Sequence, residues 1–230
     1  MDAIYDIAPG PSGGVLLVML PGAMHKPQDL VANGFPAALR ERGLPISVVI
    51  PDAHAGYYLD RDLVDRLNAD IIESAESRRY RDIWLMGISL GGLGALMYAR
   101  AHARAVKGVV VLAPYLGVPG TIHEVARAGG LRTWKPGVNA GNEDERGVLQ
   151  WLKGYGLDDS VPMIHLGYGK QDRFAAASEL LHACLPPRQV TAIAGGHDWA
   201  TWTTLWKLLL DRGLFAHSHG QKNANAGDDA

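Results

Sequence analysis

Short apolar runs alternate with amphipathic stretches along most of this chain, between Val15 and Gly213. Six runs are rich in β-branched residues or leucine and are bounded by Gly, Pro or Asp, which is typical of buried strands. The predicted strands are residues 15–20, 46–50, 83–86, 109–112, 163–166 and 190–194. Helical periodicity predicts helices at residues 28–42, 60–76, 90–104, 173–184 and 198–211, the last with Asp198 as its cap and Gly213 as its stop.

Nearly continuous apolar strands that alternate with helices indicate an α/β fold. We expect a mostly parallel sheet of about six or seven strands with helices on both faces. Right-handed crossovers then bring every strand-to-helix loop to one edge of the sheet, where α/β proteins place their sites.

Two segments depart from this alternation. Residues 114–160 contain no predicted strand and only a possible helix at 121–128, so we expect a small lid or an excursion there. Residues 217–230 are polar and without periodicity, which predicts a disordered tail. The remaining residues, 1–216, are predicted to form a single domain.

Composition narrows the functional classes. The 230 residues carry a net charge of −2, without the positive excess that nucleic-acid partners select. Cys184 is the only cysteine, which excludes an intramolecular disulfide and any multi-cysteine metal site. Residues 1–10 contain no Lys or Arg and no apolar core typical of a secretory signal, and no early apolar run is long enough to cross a bilayer. We therefore expect a cytoplasmic protein with neither a nucleic-acid nor a membrane partner.

The clearest chemical motif is Gly-Ile-Ser-Leu-Gly at residues 87–91, between a predicted strand and a predicted helix. In a nucleophile elbow the serine occupies a strained turn, and the residues two before and two after it must be small. Gly87 and Gly91 meet that requirement, so Ser89 is the candidate nucleophile. The alternative is a glycine-rich helix start in which Ser89 is only the N-cap.

A serine hydroxyl needs a general base, and the base needs a carboxylate to orient it. Asp172 follows the predicted strand at 163–166, and His197 follows the strand at 190–194, in the order that this topology requires. We predict that His197 is the base and Asp172 its orienting acid. The alternatives are that Asp172 only caps the next helix, with Asp158 or Asp159 supplying the carboxylate, and that His197 is a surface histidine.

Backbone N–H groups must stabilise the oxyanion that forms when an ester is attacked. The N–H of Leu90, directly after the nucleophile, is one predicted donor, and that of Ala23, in the loop after the first predicted strand, is the other. The N–H of Met24 is the next candidate donor after that of Ala23, and an ordinary Pro-Gly turn at Pro21-Gly22 is the alternative for that loop. Met24, Tyr57 and Tyr58 are the candidate substrate-binding residues, with loop packing as the alternative for the tyrosines.

These motifs resemble those of the α/β-hydrolases, in particular serine carboxylesterases and thioesterases, over residues 15–213. The resemblance rests on Pro21-Gly22, the elbow at residues 87–91, Asp172 and His197. It implies a sheet of six or more strands, a Ser-His-Asp mechanism and no cofactor. Pro21 stands where the family often has histidine, and little sequence precedes Val15 for the family's first two strands, so a shortened sheet is expected.

The resulting hypothesis is a serine hydrolase that cleaves a carboxylic ester or thioester of a small molecule through an acyl-enzyme on Ser89. We expect no metal and no cofactor, because the sequence has neither clustered ligands nor a phosphate-binding glycine fingerprint. The alternatives are an acyltransferase with the same triad and a catalytically idle binding protein with the hydrolase fold.

Overall fold

The computed structural model describes residues 1–8, 14–74, 80–137, 145–157 and 161–215. The predicted tail at 217–230 and the alternative acids Asp158 and Asp159 lie outside these described residues. So does part of the predicted excursion, residues 138–144.

The architecture is a seven-stranded sheet in the order β1-β3-β2-β4-β5-β6-β7. The strands are β1 (Ala3–Asp6), β2 (Val15–Leu20), β3 (Ile46–Pro51), β4 (Asp82–Ile88), β5 (Gly108–Leu112), β6 (Met163–Gly169) and β7 (Val190–Ile193). Only β1 is antiparallel to its neighbour; the other pairs are parallel. The predicted α/β class and the count of six or seven strands are confirmed.

β1 is the strand that the hydrophobic pattern does not predict. It has four residues, none of them fully buried, and it pairs with β3 at the edge of the sheet. A short edge strand does not need the continuous apolar run that marks a central strand. The stretch before Val15 therefore supplies one strand of the sheet.

Nine α-helices that lie wholly within the described residues connect and cover the strands, and a short 3-10 helix, Pro187–Gln189, precedes β7. The α-helices are α1 (Pro27–Ala32), α2 (Phe35–Arg40), α3 (Ala55–Leu59), α4 (Leu63–Leu67), α5 (Leu90–Ala101), α6 (Pro119–Arg127), α7 (Glu145–Lys153), α8 (Ala175–His182) and α9 (Trp199–Asp211). A π-helical turn, Asn68–Ile72, extends α4.

Two predicted helices are interrupted in the structure. The helix predicted at 28–42 is divided into α1 and α2, because Gly34 adopts a left-handed conformation (φ 76°) and Pro36 cannot continue a preceding helix. In place of one helix at 60–76, the structure has α3 just before this range and α4 within it. Arg61, which has a positive φ of 60°, lies in the turn that separates them. The amphipathic helix α7, which buries Val148, Leu149 and Leu152, was not predicted.

The sheet separates two apolar cores. Along β2, Leu16, Val18 and Leu20 belong to one core, and the alternate residues Val15, Leu17 and Met19 belong to the other. This alternation places buried residues on both faces, as a parallel sheet covered by helices requires. No helix in the described part of the chain is long and apolar enough to cross a membrane.

Candidate active site

Ser89 lies in the turn between β4 and α5, with φ 54° and ψ −117°. This backbone conformation is unfavourable for a residue with a side chain and is held by hydrogen bonds. The Ser89 N–H donates to the Leu112 carbonyl at 3.0 Å, and the Ser89 carbonyl accepts from the Tyr115 N–H at 3.0 Å. Both partners belong to or follow β5, so the neighbouring strand fixes the turn.

The glycines on either side of Ser89 allow the chain to approach itself closely. A Cβ atom on Gly87 would lie 2.0 Å from the Gly91 carbonyl oxygen, and one on Gly91 would lie 2.2 Å from the Leu20 carbonyl oxygen. Neither contact can be relieved by turning a side chain, because both involve backbone atoms. The predicted small-residue requirement of the elbow is therefore met for a steric reason.

The structure brings Ser89, His197 and Asp172 together in one hydrogen-bonded chain. His197 Nε2 lies 3.0 Å from Ser89 Oγ, and His197 Nδ1 lies 2.8 Å and 3.0 Å from the two oxygens of Asp172. Because a carboxylate can only accept, the imidazole proton belongs on Nδ1, which leaves Nε2 free to accept the Ser89 hydroxyl proton. Asp172 is 6% exposed and Ser89 8% exposed.

The loops that carry Asp172 and His197 are hydrogen-bonded to each other. After β6, the Gln171 N–H donates to the Gly195 carbonyl at 3.0 Å, and the Gly195 N–H donates to Gln171 Oε1 at 2.7 Å. The Asp172 carboxylate also accepts a hydrogen bond from the Phe174 N–H at 2.7 Å, which fixes the turn that follows β6. Asp172 does not cap α8, whose N-cap is Phe174 and has no side-chain cap hydrogen bond. Its carboxylate instead contacts both the Phe174 N–H and the His197 imidazole.

Two aromatic rings enclose the imidazole of His197. Phe174 and Trp202 each meet it edge to face, with ring centroids 4.9 Å away in both cases. Trp202 lies on the buried face of α9, 2% exposed, and its contact with His197 has no signal in the sequence pattern. The neighbouring Asp198 does not face His197: its carboxylate accepts the Thr201 N–H at 2.9 Å, which caps α9 as predicted and lowers the pKa of Asp198.

The loop after β2 lies against the elbow. A Cβ atom built on Gly22 would be 3.5 Å from Ser89 Cβ, and Ala23 lines the same cavity as Ser89 and Leu90. Leu90 is the first residue of α5, where N–H groups have no acceptor inside the helix. Met24 is 91% exposed and is not among the residues that line this cavity.

The cavity at Ser89 has a volume of about 620 Å³. Apolar residues of α5 form one part of its lining, Leu93 and Met97 among them, and Tyr58 forms another. Burial raises the pKa of Tyr58, so the phenol stays protonated at neutral pH. Tyr57 packs instead against His54, with ring centroids 4.6 Å apart, and is not part of the lining.

The excursion after β5 supplies one wall of the cavity. Tyr115, Thr121, Glu145 and Arg146 line the cavity from this segment. The Tyr115 hydroxyl donates to Glu145 Oε1 at 2.8 Å, and burial together with this carboxylate raises the pKa of Tyr115. Within the described ranges, no group of three or more His, Cys, Asp or Glu side chains could hold a metal ion.

Comparison with known proteins agrees with this geometry. Residues 52–212 match the model of the Esterase family, described as "Putative esterase". That range includes Ser89, Asp172 and His197 but not the loop after β2. No curated protein matches the sequence.

Solved structures with the same fold are distant in sequence. S-formylglutathione hydrolase of Staphylococcus aureus is 17% identical, with 88% of this chain and 82% of that chain covered and a TM-score of 0.61. Fluorophosphonate-binding serine hydrolase F of the same organism is 16% identical, covering 91% and 90%, with a TM-score of 0.62. Est1E of Butyrivibrio proteoclasticus is 18% identical, covering 92% and 94%, with a TM-score of 0.59.

Proposed function

This chain belongs to the Esterase family, and we propose that it is a serine hydrolase that acts on ester bonds of small molecules. In this proposal Ser89 is the nucleophile, His197 the general base and Asp172 the acid that orients the base. The observation that carries this assignment is the continuous path from Ser89 Oγ to His197 Nε2 and from His197 Nδ1 to Asp172.

In the first half of the reaction, Ser89 Oγ attacks the carbonyl carbon of the ester while its proton passes to His197 Nε2. The carboxylate of Asp172 stabilises the imidazolium that forms. The tetrahedral oxyanion accepts hydrogen bonds from the N–H groups of Leu90 and Ala23, at the positive end of the α5 dipole. When the intermediate collapses, the alcohol or thiol leaves with the proton from Nε2, and the acyl group stays on Ser89.

In the second half, His197 removes a proton from water, which attacks the acyl-enzyme through a second tetrahedral intermediate. Collapse of that intermediate releases the carboxylic acid and returns the proton to Ser89 Oγ. The acyl chain occupies the cavity lined by Leu93 and Met97, with Tyr58 alongside. We retain Met24 and Tyr57 as candidates for contact only with the part of a substrate outside this cavity.

The direct test is a panel of p-nitrophenyl esters and acyl-CoA thioesters assayed with the wild type and Ser89→Ala. Hydrolysis by the wild type that Ser89→Ala lacks supports the proposal, and the better substrate class decides between ester and thioester. Wild-type turnover that persists in Ser89→Ala would overturn it. An acyltransferase would consume the same donors but pass the acyl group to an added alcohol or amine in preference to water.

Three further expectations belong to the same proposal. We propose a cytoplasmic location, which the single cysteine supports, and no nucleic-acid partner, which the net charge of −2 supports. We also propose that residues 1–216 form one domain, which is supported by the single sheet to which all seven strands belong.

A further inference from the structure

The cavity at Ser89 is lined by more cationic groups than a neutral ester requires. Three arginines, Arg61, Arg146 and Arg173, line it together with one glutamate, Glu145. Ligand cavities are otherwise mostly apolar, and the few charged groups in them fix the orientation of the ligand. The partners of these four side chains decide which of them are available to a substrate.

Two of these four side chains, Arg146 and Glu145, form hydrogen bonds within the protein. Both terminal nitrogens of Arg146 donate to the carboxylate of Glu124, at 2.8 Å and 2.7 Å. Glu145 accepts the Tyr115 hydroxyl on one oxygen and the Val118 N–H on the other, at 2.8 Å and 3.0 Å. These contacts hold the excursion wall together, and they limit the repulsion that Glu145 would exert on an anion.

The other two arginines have no such partner in the described part of the chain. Arginine–carboxylate pairs occur there at Arg40, Arg42, Arg66, Arg81 and Arg146. Neither Arg61 nor Arg173 is among them. The Arg173 guanidinium lies over the ring of Phe174, 5.0 Å from its centroid. A guanidinium stacked in this way keeps its in-plane N–H groups available for a carboxylate.

Arg61 also has an unusual backbone. Among the described residues, only Arg61, Ser89 and Ala113 combine a side chain with a positive φ. Arg61 and Ser89 both line the cavity. Strained conformations of this kind cluster at functional sites, where the surrounding structure maintains them. The turn between α3 and α4 thus holds Arg61 at the cavity in a conformation that glycine would adopt more easily.

We propose that the substrate carries an anionic group, a carboxylate, and that Arg61 and Arg173 bind it while the ester carbonyl lies at Ser89. This inference rests on the proposed function, because it concerns the substrate of the same site. It makes the two arginines specificity-determining residues for esters whose acyl chain or leaving group ends in a negative charge. A phosphate on the substrate would satisfy the same arginines, and the experiment separates the two anions.

The test compares matched esters that differ only in charge. Mono-p-nitrophenyl adipate and p-nitrophenyl hexanoate differ by a terminal carboxylate in place of a methyl group. The butanoates of meta-hydroxybenzoic acid and meta-cresol make the same comparison on the leaving group. The butanoate of a phenol with a meta-phosphate group replaces the carboxylate with phosphate. Background hydrolysis is subtracted with Ser89→Ala.

For at least one pair, the wild type should show a higher kcat/KM for the anionic ester. Arg61→Gln and Arg173→Gln should each lower the ratio of anionic to neutral kcat/KM by about tenfold, mainly through KM, as expected for loss of a charge-assisted hydrogen bond. Arg61→Gly should do the same while relieving the positive φ, which separates the loss of charge from misfolding. The matched control is Arg104→Gln, which removes an exposed arginine outside the cavity lining and should leave the ratio unchanged.

A wild-type ratio of one or less for both carboxylate pairs, or a ratio that neither arginine substitution changes, would overturn this inference. A preference for the phosphate ester alone would overturn the choice of carboxylate. In these cases hydrolysis of the neutral esters would still support the proposed function. If the wild type hydrolysed no ester, or Ser89→Ala were equally active, the proposed function itself would fail.

Discussion

The indole of Trp202 meets the imidazole of His197 edge to face, with ring centroids 4.9 Å apart and an interplanar angle of 87°. Phe174 packs against the imidazole in the same manner, at an angle of 89°. Together with the hydrogen bond to Asp172, these contacts leave the imidazole little freedom to rotate. Nε2 is therefore directed at Ser89 before any substrate is bound, which reduces the cost of reaching the reactive geometry.

Trp202 also contacts a second histidine. His25, in the loop after β2, packs edge to face against Trp202 and Trp199, with centroids 5.7 Å and 4.7 Å away. Burial lowers the pKa of His25, the nearby Asp29 raises it, and His197 lowers it. Because the net shift is downward, His25 is neutral at neutral pH and does not place a positive charge beside His197. Trp202 of α9 thus packs against both the His197 imidazole and the loop that carries Ala23, and Trp199 packs against the same loop.

The first prediction concerns the triad as a unit. Ser89→Ala and His197→Ala should each lose activity by a factor of about 10⁴ to 10⁶, because the proposed nucleophile is inactive without its base and the base has no hydroxyl to activate without Ser89. The double variant should lose little more than either single variant. Steady-state kcat/KM with a p-nitrophenyl ester measures this, and additive losses would contradict a shared mechanism.

The second prediction separates two neighbouring aspartates. Asp172→Asn should lower kcat by about 10⁴, since the amide favours the wrong imidazole tautomer. Asp198→Ala, the matched control beside His197, should cost about 1 kcal/mol of stability through loss of the α9 cap but keep most of the activity. Similar kinetic losses in both variants would show that Asp172 has no special relation to the base.

The third prediction tests the steric basis of the elbow. Gly91→Ala should destabilise the protein by about 3 kcal/mol or more, because its Cβ would overlap the Leu20 carbonyl. In α6, a Cβ on Gly120 would meet nothing within 4 Å, so Gly120→Ala should stabilise by about 0.5 kcal/mol. Urea unfolding of the two variants gives the comparison, and equal stabilities would refute the close approach of the elbow to β2.

The fourth prediction uses the Glu124 carboxylate on α6. Hydrogen bonds from Arg146 and Trp134 lower the pKa of Glu124 from 4.5 to about 2. A carboxylate whose pKa is lower in the folded state contributes stability that is complete above pH 4.5 and is lost as the pH falls toward 2. The difference in Tm between the wild type and Glu124→Gln should therefore shrink in thermal scans taken from pH 7 down to pH 3. A difference independent of pH would mean that this charge does not support the excursion.

The central strands and the placement of Ser89, Asp172 and His197 at one edge of the sheet were predictable because each depends on local sequence. β2 to β7 are mostly apolar runs with turn residues at their ends, and Ser89, Asp172 and His197 each follow such a run. Parallel topology then brings these three positions to one edge of the sheet without any knowledge of side-chain packing.

Most of the features that were missed depend on contacts distant in sequence. β1 is held by pairing with β3. Helix α7 does have an amphipathic pattern, with Val148, Leu149 and Leu152 buried, but its place beside the cavity depends on Glu145 reaching Tyr115 and Val118, 30 and 27 residues away. The contact of Trp202 with His197 and the place of Arg61 in the cavity depend on how α9 and the α3–α4 turn pack. Hydrophobic periodicity carries no information on such contacts.

The most direct measurement of the central claim is the intact mass of the protein after reaction with a fluorophosphonate, followed by peptide mapping. A serine activated by His197 displaces fluoride and keeps the phosphonate, whereas an unactivated serine does not react. We predict one adduct per chain, located on Ser89, and no adduct on Ser89→Ala or His197→Ala. An unlabelled wild type, or a label that remains in Ser89→Ala, would contradict the assignment of Ser89 as the nucleophile.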